Sequence, residues 1–555
     1  MPGSTQTLMP DPEADYQKGF IWALGALGDP SIAPEIADFA FACFRKIPMI
    51  GAVSHRVGNA CVNSLAIMPG LDAVSQISRL SSRVKYDVAR RLIEKALVEA
   101  AERNHVSRDD LEAMSVPSFG LDAHGVGIET AGDCQAKLCI ENGEASLTWS
   151  RDGKAVKSIP ASVKADHGEL AAELKKSVKE LDSSLSTQRI RLGRQMLSQN
   201  FCRFDRWQTW YLDHPVVSYF AKRLIWEFVT NGATQTAFFF EDQLVDWAGN
   251  VFTPTPETQV RLWHPMGSEV QTVLSWRCWL EDHACRQPFK QAHREVYVLT
   301  DAERQTSTYS NRFAAHIVKQ HQFAALCREH GWQFNLIGQW DSHNTPYLDL
   351  PQHKLRAEFD VEFPPEEETS GHGVYLAIST GRVQFTTLAN TKHALPQSLR
   401  LQDIPPVVFS EVMRDCDLLV GVTSIGADPT WHAGERHGEY WRGFAFGELG
   451  IASENRKSIL AALLPKLAIR DRCRIEGRFL VVRGTLHEYR IHLGSGNVMI
   501  EPGSRYLCIV QGPGDSAERL HLPFEGDRVL AAILSKALLL ADDAKIKDDT
   551  IRRQL

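Results

Sequence analysis

CQAKLCIENGEASLTWSRDGKAVKSIP, residues 134–160, decides the fold class. Polar and apolar residues alternate in short runs, and the runs are punctuated by Asn142-Gly143 and Asp152-Gly153. A two-residue hairpin turn needs positive φ at its central positions, which Asn, Asp and Gly tolerate best, so each dipeptide predicts a tight hairpin. The stretch therefore reads as a small antiparallel sheet. It follows a region with a different period.

N-terminal to it, Phe20, Leu24 and Leu27, then Ile36, Phe39, Ala40 and Cys43, recur at helical spacing. Gly28-Asp29-Pro30 reads as a helix stop followed by a start, with proline near the first turn. Further helices are expected near 55–67, 71–82 and 85–104. Short helices joined by tight turns fit a HEAT-type solenoid, in which each pair covers its neighbour's apolar face; an ordinary helical bundle fits the same pattern.

On the C-terminal side, residues 167–230 are expected to return to helix, first charged (169–185), then aromatic (201–229). Strands are expected at 234–242 and 259–265, with two further helices inside 287–332. PPEEETSGHG, 364–373, reads as an exposed loop, followed by strand-like 374–379, 383–388 and 417–425. GRFLVVRG, HEYRIHL, NVMIEP and RYLCIVQ, within 477–511, alternate as strands, with GSGN at 494–497 as a hairpin turn. A helix over 527–541 closes the chain.

The fold class is thus α+β and multi-domain, with HEAT-like α-helical repeats followed by mixed α/β and antiparallel β domains. The expected segments are HEAT-like repeats at 1–118, a central domain at 119–347, an α/β region at 348–475, and antiparallel β with a closing helix at 476–555.

Composition narrows function. Of 555 residues, 43% are hydrophobic and 23% charged, and the net charge is -7, so no global basic field attracts nucleic acid or membrane. The first 18 residues lack the pattern of a signal peptide, and no run reaches the roughly 20 apolar residues of a membrane helix. A cytoplasmic location without membrane attachment is expected. Eleven cysteines, an odd number with no C-x-x-C, argue against a disulfide framework or a cysteine zinc site. Walker A, H-E-x-x-H, G-x-S-x-G and protein-kinase motifs are absent.

Three places carry candidate chemistry. The first is 287–332. With a helix running from about Thr308 to Gly331, Arg312, His316, Lys319 and Phe323 fall on one stripe with Tyr309 at its edge, and Lys290, His293 and Arg294 on the preceding helix extend it. Such a stripe suits a phosphate or a stacked base; it equally fits a solvated face with ion pairs to Glu295 and Asp301. The many histidines there lack the i, i+4 spacing of paired metal ligands, so no metal is expected. The second is Lys536, on the apolar closing helix with Asp542 and Asp543 following; a buried lysine is either paired or chemically poised. The third is His487, Arg490 and His492 beside the GSGN turn.

QPFKQAHREVY (287–297), YSNRFAAHIVKQHQFAALCREHGW (309–332), LLVGVTSIGADPTW (418–431), HEYRIHLGSGNVMIEP (487–502) and LPFEGDRVLAAILSKALLLADDAKIKD (522–548) together resemble bacterial proteins carrying domain of unknown function 4132, a group that includes molybdate-metabolism-regulator-like (MolR-like) proteins. The resemblance runs from about residue 120 to the end. Some relatives carry HEAT-like repeats or a WGR domain; no WGR-like segment is recognisable here. The resemblance implies a link to gene regulation or molybdate and no particular catalytic residues or cofactor.

The leading expectation is a regulatory or binding protein whose repeats dock a protein partner, and whose basic-aromatic surface meets nucleic acid or a phosphorylated ligand. The alternatives are an undescribed enzyme acting on nucleic acid or a nucleotide, through Lys536 with Asp542 or Asp543 or through the His316 region, and a protein-protein scaffold.

Overall fold

The computed structural model describes residues 9–47, 51–84, 87–104, 106, 110, 113–114, 116–340, 344–363, 367–388, 396–422, 436–509 and 522–555. The chain divides into two compact units, one of residues 1–195 and 200–262, the other of 196–199 and 263–555.

The first unit opens with five helices: α1 (Asp11–Leu27), α2 (Ala33–Phe44), α3 (His55–Ile67), α4 (Leu71–Arg83) and α5 (Asp87–Arg103). Gly28 ends α1 at φ 68°, a left-handed cap that glycine adopts without steric cost. Close approach of α1 to α3 depends on Gly25, where a Cβ would stand 2.6 Å from that of Ser64. The Ser64 hydroxyl donates to the Ile21 carbonyl at 2.9 Å.

A four-stranded meander follows: β1 (Val126–Ala131), β2 (Cys134–Glu141), β3 (Glu144–Arg151) and β4 (Lys154–Val156). Its two later turns fall on Asn142-Gly143 and Asp152-Gly153, all four residues at positive φ, as the dipeptides predict. The sheet buries Ala136 and Trp149 against Ala171 and Leu174 of the long helix α6 (Gly168–Ser198).

The aromatic stretch after α6 departs from expectation. It holds two short helical turns and a π-turn, and IWEFVT is strand β6 (Ile225–Thr230) rather than helix. Its aromatics build the core instead, with Trp207 edge-on to Trp226 at 5.3 Å and to Phe228 at 5.6 Å. With β5 (Cys202–Arg203), β7 (Ala233–Phe240), β8 (Gln243–Val245), β9 (Val251–Phe252) and β10 (Gln259–Leu262), β6 forms a six-stranded sheet ordered β9-β8-β7-β6-β10-β5.

The second unit holds two five-stranded antiparallel sheets and helix α7 (Val270–Asp282). The first sheet has β15 (Ala377–Thr387) at its centre, paired with β11 (Tyr309–Ser310), β12 (Ile317–Lys319) and β14 (Leu355–Glu362), with β13 (Tyr347–Leu350) on the far side of β14. Its apolar face packs with helices α8 (Gln320–Glu329) and α9 (Pro406–Val422) around Phe323, Phe359, Phe385 and Phe409. Asp417 to Val422, expected to be strand, belong to α9, and 423–425 lie outside the described residues. Helices α10 (Gly438–Ala445) and α11 (Ile451–Leu463) lead to the last sheet.

That sheet, β16 (Cys473–Glu476), β17 (Phe479–Arg483), β18 (Glu488–His492), β19 (Val498–Glu501) and β20 (Arg505–Leu507), runs in simple sequence order. Leu480, Val482, Tyr489, Ile491, Val498 and Ile500 share one face by the period of two and pack with helix α12 (Arg528–Ala541). The expected strands at 477–502, the GSGN turn and the closing helix are present; of 505–511 only Arg505–Leu507 is strand, and 510–511 lie outside the described residues.

Candidate functional site

The segment Gln287–Tyr297 forms no helix, contrary to the sequence expectation. It is an irregular stretch held by its own polar residues. Gln287 pairs its backbone with Pro523 and Glu525, and its side chain holds Gln291 and Ala292. Lys290, His293 and Arg294 are buried, at 7%, 3% and 8% exposure, which removes them from any contact surface.

These buried cations are matched with acids from distant elements. Lys290 Nζ lies 2.5 Å from Glu295 and 2.7 Å from Asp527, the N-cap of α12. Arg414 of α9 bonds the other oxygen of Glu295 at 3.0 Å, and Arg456 of α11 pairs with Asp527. Arg294 grips both oxygens of Glu411, whose Oε1 also meets His264 at 3.0 Å. Burial opposes ionisation of Glu295, yet Lys290 and Arg414 overcome it and hold the carboxyl well below its ordinary range. His293 stands apart: burial, with Arg277 and Lys290 nearby, pushes it down to about 3, and neither ring nitrogen has a hydrogen-bond partner among the described residues.

The expected 308–331 helix is likewise replaced. Asp301–Thr306 is a short helix with a capping box from Thr300 and Glu303; β11, a turn, β12 and α8 follow. Ala315 takes φ 63° and donates to the Thr380 carbonyl at 2.7 Å, while Ile317–Lys319 pairs with Ala377–Ser379. Pairing with β15 thus overrides the local helical period. Arg312, His316, Lys319 and Phe323 do not form one helical stripe: Phe323 is core, and Arg312 is clamped to Glu303 and the Val298 carbonyl.

His316 and Lys319 nonetheless share a half-buried ledge with α10. His316 Nδ1 lies 3.0 Å from the Tyr440 hydroxyl, and its ring meets Phe444 edge-on at 5.4 Å. Tyr440 and Phe444 stack in near-parallel planes with centroids 6.3 Å apart. Lys319 Nζ lies 5.5 Å from the centroid of Trp441, whose indole donates to the Ile317 carbonyl at 2.8 Å. Burial lowers the pKa of His316, which favours its neutral ring. Tyr309, paired with Gln384 further along β15, lies beneath the Arg382 guanidinium at 5.6 Å. The sequence singles out His316, Lys319 and Tyr309; the structure sets Tyr440, Trp441 and Phe444, at i, i+1 and i+4 on α10, beside the first two.

Near the C terminus Lys536 is buried at 7% exposure, as the apolar helix around it predicts. Its partner is the Gly496 carbonyl at 2.8 Å, not Asp543. Burial pushes its pKa down to about 8. Asp543 instead accepts from the amides of Thr485, Leu486 and His487 and from the Tyr489 hydroxyl at 2.9 Å. Asp542 is exposed and pairs with Arg472 and Lys545. The three candidate catalytic groups therefore do not converge. The GSGN turn is a structural nexus: Arg456 bonds the Leu493 and Gly494 carbonyls, and His492 bridges Gly447 and Ser495. His487 reaches the Leu555 carbonyl. Among the described residues no three His, Cys, Asp or Glu side chains are grouped to hold a metal ion.

The fold and these sites define an α+β chain with antiparallel sheets and a charged interior. Residues 153–332 match the family model described as Domain of unknown function (DUF4132), and residues 453–555 match that of Domain of unknown function (DUF7737). No curated protein and no solved structure matches the chain. No helix among the described residues is long and apolar enough to cross a membrane.

Proposed function

We propose that this protein is a regulatory or binding protein that contacts single-stranded nucleic acid through the ledge of His316, Lys319, Tyr440 and Phe444, with buried Trp441 supporting it from beneath. The observation that carries the reading is the stacked, half-buried Tyr440–Phe444 pair beside a lysine. Aromatic faces stack bases of any sequence, at about 1–3 kcal/mol per base, and a neighbouring cation serves the phosphates. A catalytic reading through Lys536 has less support, because an enzyme needs several polar groups to converge on one pocket. Ultraviolet cross-linking of a labelled pyrimidine-rich oligonucleotide, followed by peptide mapping, tests the assignment. Cross-links on the 438–445 peptide are expected; cross-links confined to other peptides contradict it.

A protein partner on the N-terminal helices is the second reading. It is favoured by Tyr16, Phe20 and Leu27, which lie along one stripe of α1 and are 76%, 69% and 76% exposed. Reading those helices as HEAT-like, kinship with molybdate-metabolism-regulator-like proteins and a cytoplasmic location belong to the same proposal.

A further inference from the structure

An open cleft of about 540 Å³ is lined by α11, residues 448–449, the β16–β17 turn and Arg490 of β18. Its size falls within the roughly 300–1,000 Å³ of small-molecule sites. Lys457, Arg478, Arg490, Glu448, Glu454 and Glu476 supply its charges, with Leu449 and Phe479 as apolar wall. Two of the three acids are held at hydrogen-bond distance, and Glu454 meets Lys457 at 3.9 Å. Glu476 accepts from Arg474 at 2.5 Å, and Glu448 accepts from Arg478 at 2.5 Å.

Two of the cations are held only by long ion pairs. Arg490 is fixed by position rather than by hydrogen bonds. Its guanidinium lies over the Phe479 ring at 4.5 Å, and its nearest acid, Glu501, stays 3.8 Å away. Its Nε is buried with no hydrogen-bond partner among the described residues. Lys457 meets Glu454 only at 3.9 Å. Arg478 flanks the same ring at 5.7 Å, and its acid, Glu448, has a 92% exposed side chain, a pair that an incoming anion displaces at little cost. The planar fork of a guanidinium matches the oxygens of a phosphate group.

We infer that this cleft binds a small phosphate-bearing ligand, with Arg490 and Arg478 holding the phosphate oxygens and Lys457 closing the charge. The site shares no residue with the ledge on α10, so the two assignments stand or fall separately.

Pyrophosphate is the probe, added to the full chain and followed by phosphorus NMR line broadening. Saturable broadening is expected, with affinity weakened at least about tenfold in Arg490→Gln, the effect of losing roughly one charge-assisted hydrogen bond. Arg442→Gln, on the exposed side of α10, leaves pyrophosphate binding unchanged. Lys457→Gln, at a partly exposed helical position, provides a variant that keeps the fold and is expected to weaken binding at least about threefold. Absence of saturable broadening in the wild type, or equal affinity in the wild type and both cleft variants, overturns the inference. Unchanged cross-linking of oligonucleotide to the 438–445 peptide in Arg490→Gln keeps the outcome distinct from the nucleic-acid reading.

Discussion

Lys536 and Glu295 are both buried charges with lowered pKa values, so each makes stability rise with pH, Glu295 in acid and Lys536 in alkali. Lys536 has a folded pKa of about 8 against an ordinary 10.5, so the protonated form is disfavoured by folding. Between those values the unfolded chain binds more protons, and stability rises with pH by an amount on the order of 3 kcal/mol in all. Lys536→Met should abolish that rise and cost at most about 1 kcal/mol at neutral pH, because it removes a desolvated charge along with a single hydrogen bond. Calorimetric unfolding of the two forms from pH 7 to 10.5 measures this. A loss near the roughly 3–5 kcal/mol of a broken buried ion pair would mean an acid partner exists after all. Glu295 has a folded pKa below its ordinary 4.5, so its contribution is present above that value and fades as pH falls beneath it. Glu295→Gln strips Lys290 and Arg414 of a shared partner and should destabilise by about 3–5 kcal/mol at pH 7; a variant as stable as wild type in the same calorimetry would show that the pair is solvated. Burial of Lys536 was legible in the sequence, since its helix is apolar all round. Its partner was not. The chain turns after Ala541, carrying Asp543 away from the helix axis to the 485–487 amides.

At the scale of elements, legibility follows sequence distance. The 134–160 hairpins were readable because two dipeptides carry the whole signal. Gly153 sits at φ 74° with open space where a Cβ would go, so Gly153→Ala should cost about 1 kcal/mol through backbone strain alone. Faster amide hydrogen exchange confined to β3 and β4 is the expected readout; unchanged exchange would place the turn in another conformation. The segment 309–319 was not readable. Its helical period is real, but its backbone is claimed by β15, about 60–75 residues downstream. Charge matching hid the 287–297 segment in the same way, because Glu411 and Asp527 lie more than 100 residues from their partners Arg294 and Lys290.

For the whole molecule, the alternation of helical and β texture gave the α+β class, while the ledge needed tertiary contacts to appear, because α10 joins it from 124 residues beyond His316. Exposed residues between Pro117 and His124 join the helical region to the first sheet, and limited proteolysis should cut there well before it cuts the buried 287–297 segment; early cleavage inside 287–297 would show that the ion network does not hold. The most direct test of the ledge is the salt dependence of nucleic-acid binding. Anisotropy of a labelled single-stranded oligonucleotide should reveal binding by the full chain at low salt that weakens as salt rises. Tyr440→Ala should weaken it by about tenfold at every salt concentration, the loss of one stacked base, and Lys319→Ala should flatten the slope by about one phosphate contact. No binding at low salt, or binding indifferent to both substitutions, would contradict the assignment of this surface.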